Sequence, residues 1–212
     1  KCLGKTVENP ILWNAEKPHV YTVVVKGETE YIPFYAGMRE VSVSDEGELL
    51  INGVPVKLQG VNHHDTHETT GYVMTGEDLL KDVLLMKQFN VNAVRTSHYP
   101  PDAMFIALCD IYGLYIIDEA DIETHGCGEM FDDVSKLSMD LRWAKHYVDR
   151  VKRMYLRDRS RAGIIMWSLG NEAGGYNCQD VCYEYLHEVC PEIPVHYEGV
   201  VRNERHSYDV VS

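Results

Sequence analysis

Three features are scarce in this sequence, and each scarcity argues against a class of function. The chain has 20 basic against 33 acidic residues, a formal net charge of -13, so neither nucleic acid nor an anionic membrane is an expected partner. No apolar run is long enough to span a bilayer. The six cysteines form no Cys-x-x-Cys pair, which argues against a structural zinc site.

The remaining composition is that of a globular protein. Its 212 residues are 45% hydrophobic, which is enough for the core of one or two domains. Cys109 lies in an apolar helical pattern and is interpreted as a small buried thiol, so a reducing, cytoplasmic setting fits best. The chain begins with Lys1 and has no signal-like start, and we expect it to be an excised piece of a longer protein.

Residues 1–45 are rich in β-forming side chains and show no helical period. Apolar runs at 20–25 and 31–34 continue into Val41 and Val43, and Pro10, Pro18 and Gly27 punctuate them. This pattern predicts the end of an immunoglobulin-like β-sandwich. Directly after it, Asn-Gly at positions 52–53 separates two apolar runs, which is a strong hairpin signal.

Residues 46–212 alternate between predicted strands and helices. The predicted strands are residues 56–61, 91–96, 114–118, 164–169 and 195–197, with 210–211 as the start of a sixth. Helical faces fall between them; Thr75 and Asp78 cap one, and Pro101 and Gly113 bound the next. Repeated strand-helix units predict a parallel sheet with helices outside.

Such a sheet is either a doubly wound nucleotide-binding fold or an eight-stranded barrel. The first predicted strand is followed by polar residues 59–65 and not by the Gly-x-Gly loop of a nucleotide binder. Every later strand is also followed by polar side chains, and barrel enzymes carry their active-site residues at these strand ends. We therefore predict an α/β fold, an incomplete (β/α)8 TIM barrel with about five or six strands present.

Asn171 and Glu172 follow the fourth of these strands and are the leading catalytic candidates. A carboxylic acid at a strand end can donate a proton, and an adjacent amide can hold a sugar hydroxyl. The alternative is that Glu172 merely neutralises the start of the next helix.

Glu123 and His125 are two residues apart, so in an extended segment their side chains point the same way. If Glu172 faces the same point, three ligands converge, and this carboxylate-rich set suits Mg²⁺, or Mn²⁺, better than zinc. The alternative is a simple Glu-His hydrogen bond in a loop.

Histidines also gather at the ends of the first two strands. His63, His64 and His67 follow one strand and His98 follows the next, and neutral imidazoles can hydrogen-bond sugar hydroxyls. Asp118 and Glu119 are further carboxylate candidates, for which an orienting role is favoured over a catalytic one.

Four sequence blocks resemble the large bacterial β-galactosidases of glycoside hydrolase family 2. The blocks are GVNHH at 60–64, VRTSHYP at 94–100, DEADIETHG at 118–126 and WSLGNE at 167–172. The resemblance covers residue 47 to the end, and the β-rich start resembles the end of the family's immunoglobulin-like domain. The Glu-Thr-His segment is unlike the family's β-glucuronidases.

The resemblance implies roles for individual residues. Glu172 matches the general acid/base, with Asn171 as the amide beside it. Glu123 and His125 match ligands of an active-site magnesium that Glu172 also contacts. The sugar-site residues are implied to be His64 and His98, on the galactosyl group, and Arg95, near the nucleophile.

The sequence therefore predicts part of a retaining β-galactosidase that releases terminal β-D-galactose. The nucleophilic glutamate is expected beyond Ser212, so the piece alone is expected to be inactive. The parent is expected to be a homo-oligomer. Alternatives are another family 2 exo-β-glycosidase, such as a β-glucuronidase or β-mannosidase, and a non-catalytic carbohydrate-binding domain.

Overall fold

A computed structural model describes residues 4–199 and 208–210. Its centre is a parallel sheet of five strands whose neighbours follow chain order. These strands are β6 (Gly60–His63), β7 (Ala93–Thr96), β8 (Tyr115–Glu119), β9 (Ile164–Ser168) and β10 (Val195–His196). The helices that alternate with them are α1 (Gly76–Gln88), α2 (Ala103–Tyr112), α3 (His125–Phe131), α4 (Ala144–Asp158) and α5 (Asn177–Val189). This is the α/β arrangement of a partial barrel.

Two small antiparallel sheets precede the parallel one. Strands β1 (Tyr21–Lys26) and β2 (Tyr31–Ala36) form one, and β3 (Val41–Val43), β4 (Leu49–Ile51) and β5 (Val54–Pro55) form the other. Asn52 and Gly53 join β4 to β5 with φ angles of 54° and 74°, as a tight hairpin turn requires. The predicted hairpin is therefore confirmed, whereas a separate sandwich domain over residues 1–45 stays a prediction.

The helix boundaries follow the predicted capping. Thr75 accepts from the backbone of Asp78 while the Asp78 carboxylate accepts from the Thr75 backbone, a complete capping box. Asp102 caps α2, and Gly113 ends it with a φ of 79°. No helix in the described part of the chain is long and apolar enough to cross a membrane.

The first parallel strand was predicted too early. The backbone N–H of Val56 donates to Leu49, so this part of the chain still belongs to the hairpin. The ladder begins at Gly60, where a Cβ atom would lie 3.1 Å from the carbonyl oxygen of Ala93. Apolar character alone did not reveal which residues pair.

Two further elements differ from the prediction. Helix α3 was not predicted, because its seven residues include two glycines and show no apolar period. The predicted sixth strand reduces to an isolated parallel bridge between Val210 and His196, and Val211 lies outside the described residues.

The N-terminal segment covers the amino ends of the strands, opposite the site described below. The indole of Trp13 donates to the carbonyl of Asp110 at 2.7 Å, and Arg39 donates to the carbonyls of Ala162 and Ile164 at 3.0 and 2.6 Å. Trp13 is fully buried in the same apolar cluster as the strands. These contacts fix the floor of the partial barrel and leave its carboxyl-terminal end free for chemistry.

Candidate active site

A buried carboxylate lies at the centre of the carboxyl-terminal end of the sheet. Glu119, the last residue of β8, is fully buried and accepts from Arg95 Nε at 2.6 Å, His98 Nδ1 at 2.7 Å and Ser168 Oγ at 2.7 Å. A buried carboxylate is stable only when charged and polar donors surround it. Glu119 therefore orients its neighbours, which is the role that the sequence favoured for it.

The contact with Glu119 also defines which ring nitrogen of His98 is the donor. A carboxylate only accepts, so Nδ1 of His98 carries the proton, and in the neutral ring Nε2 is an acceptor. His64 packs edge-on against His98, with ring centroids 5.3 Å apart. Burial, followed by the neighbouring His98, lowers the pKa of His64. The two predicted sugar-binding histidines are thus together.

Of the three histidines after the first strand, His64 alone contacts His98. His63 is buried on the other side, stacked on Phe105 with centroids 4.1 Å apart, and its Nε2 lies 3.1 Å from Asp82. The His67 ring faces Asp78 at the start of α1, 3.8 Å away. Alternation along the chain separates His63 from His64, so His63 and His67 have packing roles.

Asp118, next to Glu119, points away from the site. It is fully buried, accepts from Thr96 Oγ1 at 3.3 Å, and meets the carboxyl of Asp158 on α4. Burial, and then the charge of Asp158, raise the pKa of Asp118 well above its usual range. A catalytic role for Asp118 is therefore not supported.

A hydrogen-bonded chain leads from the buried centre to the surface. Arg95 Nη2 donates to Asn171 Oδ1 at 3.0 Å, and Asn171 Nδ2 donates to Glu123 Oε1 at 3.2 Å. Because the guanidinium only donates, the amide oxygen of Asn171 must face Arg95 and its NH2 group must face Glu123. The orientation of Asn171 is therefore defined by its partners.

Glu172 directly follows this amide on a tightly held backbone. Gly170 has a φ of 107°, and a Cβ atom there would lie 2.3 Å from the carbonyl oxygen of Ile122. The N–H of Asn171 donates to that carbonyl at 2.8 Å. The chain therefore passes so close to the loop after β8 that only glycine fits at position 170.

Glu123, His125 and Glu172 converge at the surface. One ligand atom from each lies within 4.8 Å of the others, and all three residues are exposed. Glu172 Oε2 contacts His125 Nδ1, and this hydrogen bond raises the pKa of His125. Two carboxylates and one imidazole, open to water, fit a divalent ion that prefers oxygen ligands. The three residues could therefore hold a metal ion.

The spacing argument for this trio was wrong in its premise. Glu123 pairs with Asn171 in an isolated parallel bridge, but His125 is the first residue of α3 and not part of an extended segment. The convergence comes from the turn into α3, which the sequence did not reveal. The roles of these residues as ligands stay a prediction.

Two residues of the network were not assigned from the sequence. Glu198, which follows β10, accepts from the backbone N–H of Glu172 at 2.9 Å. Ser168 donates to Glu119 and lies 3.2 Å from Nδ1 of the buried His196. Burial, and then the charge of Arg95, lower the pKa of His196 to about 4, so this ring is neutral. Both residues sit at strand ends, the signal that could have found them.

Comparison with known proteins fits this geometry. The family model for the TIM barrel domain of glycosyl hydrolases family 2 matches residues 41–212. The chain belongs to glycoside hydrolase family 2. Both the family resemblance and the TIM-barrel class drawn from the sequence are confirmed.

Two curated relatives are named beta-galactosidase. The protein from Pectobacterium atrosepticum is 46% identical over 205 residues, which cover 94% of this chain and 19% of that protein. The protein from Photobacterium profundum is 44% identical over 199 residues, 91% of this chain and again 19% of that protein. The chain thus spans about a fifth of the length of these relatives.

A solved structure supports the fold. The chain superposes on a beta-glucuronidase of an uncultured Clostridium species with a TM-score of 0.80, covering 96% of this chain and 36% of that one. Sequence identity is 21%, so this likeness shows the fold alone.

Proposed function

We propose that this chain is part of a retaining β-galactosidase that removes terminal β-D-galactose from β-galactosides. The observation that carries the proposal is Asn171-Glu172 at the end of β9, converging with Glu123 and His125. The names of the curated relatives support the galactosidase assignment over a β-glucuronidase or β-mannosidase. A non-catalytic carbohydrate-binding domain is disfavoured, because such a domain does not require this network of oriented polar groups.

In this proposal Glu172 protonates the departing glycosidic oxygen and then takes a proton from the attacking water. Its side chain is 44% exposed, so an incoming substrate can reach it. Asn171, with its NH2 group held toward Glu123, is placed to bind a sugar hydroxyl next to the acid. The nucleophilic glutamate belongs to another part of the full-length protein.

The histidines and Arg95 would hold the galactosyl group. His64 and His98 lie edge to face. His98, whose Nδ1 donates to Glu119, would offer Nε2 to a sugar hydroxyl, and His64 would donate or accept according to the hydroxyl it meets. Arg95 carries a fixed positive charge beside Asn171, close to the position where negative charge of the nucleophile would lie. Glu119 orients both His98 and Arg95.

We further propose that Glu123, His125 and Glu172 hold Mg²⁺, with Mn²⁺ as a substitute. The bound ion would supply a positive charge that fixes the carboxylates in place. Because His125 must lose its proton to bind a metal, and Glu172 raises its pKa, metal affinity should weaken at acidic pH.

We also infer that the full-length protein is a cytoplasmic homo-oligomer. The cytoplasmic location is supported by Cys109, Cys127, Cys178, Cys182 and Cys190, which are all buried and unpaired. Light scattering of the purified protein and fractionation of the source cells test the two statements. A monomer, or recovery outside the cytoplasm, would contradict them.

The function is tested with a panel of chromogenic glycosides on the full-length protein. The galactoside should be cleaved best. Greater activity on the glucuronide or mannoside would instead identify the protein as a β-glucuronidase or β-mannosidase. Glu172→Gln should lower kcat/KM by about 10²–10⁴-fold, and more for poor leaving groups, which need the proton. Glu184→Gln, on the exposed side of α5, is the matched control. Equal loss for good and poor leaving groups would contradict the acid role.

A further inference from the structure

We propose that Glu198 is the positioning residue for Glu172. The inference rests on the proposed function, because it assumes that Glu172 is the general acid/base. Glu198 Oε1 accepts from the backbone N–H of Glu172 at 2.9 Å. The contact is made to the backbone of Glu172 and does not involve the Glu172 carboxylate.

The backbone of Glu172 needs such support. Its φ of 38° lies in the left-handed region. A residue other than glycine adopts this conformation only when surrounding contacts impose it. Without Glu198, the N–H of Glu172 would need another acceptor, and the backbone turn would shift toward one. A carboxylate acceptor makes a stronger and shorter bond than a neutral one.

The neighbouring N–H groups are held as well, from both sides. Asn171 donates to the carbonyl of Ile122 in the loop after β8, at 2.8 Å. Ala173 donates to the hydroxyl of Tyr197 at 2.9 Å, and Tyr197 is fully buried. Tyr197 and Glu198 are consecutive residues after β10, so they accept from consecutive N–H groups. Glu172 is therefore fixed by β10 as well as by its own strand.

This placement separates Glu198 from a catalytic carboxylate. Its Oε1 is engaged by an amide, and Glu198 is absent from the group of ligand atoms that converge on His125. Loss of the carboxylate should therefore misplace the acid rather than remove it. Misplacement by about 1 Å costs on the order of 10²-fold in rate.

The test uses full-length protein and three substitutions at one position. Glu198→Gln keeps an acceptor oxygen at the same reach and should stay within about threefold of wild type, since the hydrogen bond survives. Glu198→Asp keeps the charge but withdraws it by one methylene, and Glu198→Ala removes it. Both should lose about 10²-fold in kcat/KM for poor leaving groups and much less for good ones, because kcat/KM reports the step in which the leaving group departs. If Glu198→Ala does not fold, the Asp and Gln variants carry the test.

Two outcomes overturn the inference while the proposed function stands. One is equal loss for good and poor leaving groups in Glu198→Asp, while Glu172→Gln shows the unequal loss. The other is rescue of Glu198→Ala by azide with inversion at the sugar, which would make Glu198 the nucleophile. If Glu172→Gln itself shows equal loss, the proposed function fails and the positioning role fails with it.

Discussion

At the scale of single residues, the site depends on one buried charge with several donors. Glu119 defines the ring orientation and proton of His98 and the direction of Arg95, and through Arg95 that of Asn171. None of these side chains is placed by its own strand alone. A change at Glu119 should therefore alter the positions of His98, Arg95 and Asn171, which the proposed function assigns to the sugar site.

Glu119→Gln tests this dependence. Three donors face Glu119, so the amide NH2 must meet at least one of them. Facing His98 Nδ1, it would move the ring proton to Nε2 and reverse what His98 offers to a sugar. We expect kcat/KM of the full-length enzyme to fall about 10²-fold or more, as for loss of a positioned polar group. Activity within threefold of wild type would show that the orientation does not matter.

His125→Ala tests the metal trio. The variant should raise the Mg²⁺ concentration needed for half-maximal activity by about 10-fold or more, because one of three protein ligands is lost. In the wild type the same concentration should rise as pH falls through the raised pKa of His125, since the protonated ring binds no metal. His146→Ala, an exposed histidine on α4, is the control. An unchanged half-activation concentration in His125→Ala would exclude this ligand set.

The sequence predicted the residues of the site better than the reasons for their meeting. Asn171 and Glu172 were identified because they follow a buried strand, and barrel enzymes carry their catalytic residues at the carboxyl ends of such strands. Which of His63 and His64 reaches the site depends on which side of the strand each side chain points to. A run of neighbouring histidines does not reveal this. Glu198 follows a strand end, but no role was assigned to it because its partner is a backbone N–H, which the pattern of side chains does not reveal.

At the scale of helices and strands, regular patterns were predictable and local turns were not. Strands β7 to β10 lie within two residues of their predicted bounds, because apolar runs of that length fit a sheet buried on both faces. The start of strand β6 was predicted wrongly and helix α3 was not predicted at all. Pairing at Gly60 and the turn after Thr124 depend on contacts that are distant in sequence. The spacing argument for Glu123, His125 and Glu172 was wrong for the same reason, because His125 is the first residue of α3.

The contact between β8 and α4 contains a pair of buried acids, Asp118 and Asp158, whose environments differ. Asp158 is buried and accepts from Arg157 Nε at 2.9 and 2.8 Å, so its charge is compensated. Asp118 Oδ2 is buried without a hydrogen-bond donor among the described residues. A proton on Asp118, donated to Asp158, satisfies both carboxyls and agrees with the raised pKa of Asp118.

Asp118→Asn should accordingly be tolerated and Asp158→Asn should not. At neutral pH the amide has the shape and donor of the protonated acid, so the melting temperature should move by about 1 °C or less. Asp158→Asn removes the negative charge beside Arg157 and turns one of its two acceptor oxygens into a donor, and should lower the melting temperature by about 5 °C. Wild-type stability should decline as pH rises through the raised pKa of Asp118, and Asp118→Asn should lack this decline. Equal melting losses in both variants would contradict a shared proton.

At the scale of the whole molecule, the described sheet is an open part of a barrel. Strands β6 and β10 are its outer strands, and a cavity of about 400 Å³ lies on its concave side, lined by residues such as Val61, Ile117 and Glu198. Val61 is 41% exposed there, and in a closed barrel such side chains fill the interior. Closure of the barrel is therefore needed to bury this surface.

A polypeptide of residues 1–212 alone should therefore show no turnover of a chromogenic galactoside and should self-associate. Among the described residues the outer edge of β6 has no neighbouring strand, which invites pairing with other chains, and the apolar concave face favours aggregation. Light scattering of the purified polypeptide should report species larger than the 24.3 kDa monomer. Retaining hydrolysis also needs a second carboxylate about 5 Å from the first. Turnover by this polypeptide that Glu172→Ala abolishes would instead place the nucleophile within these residues.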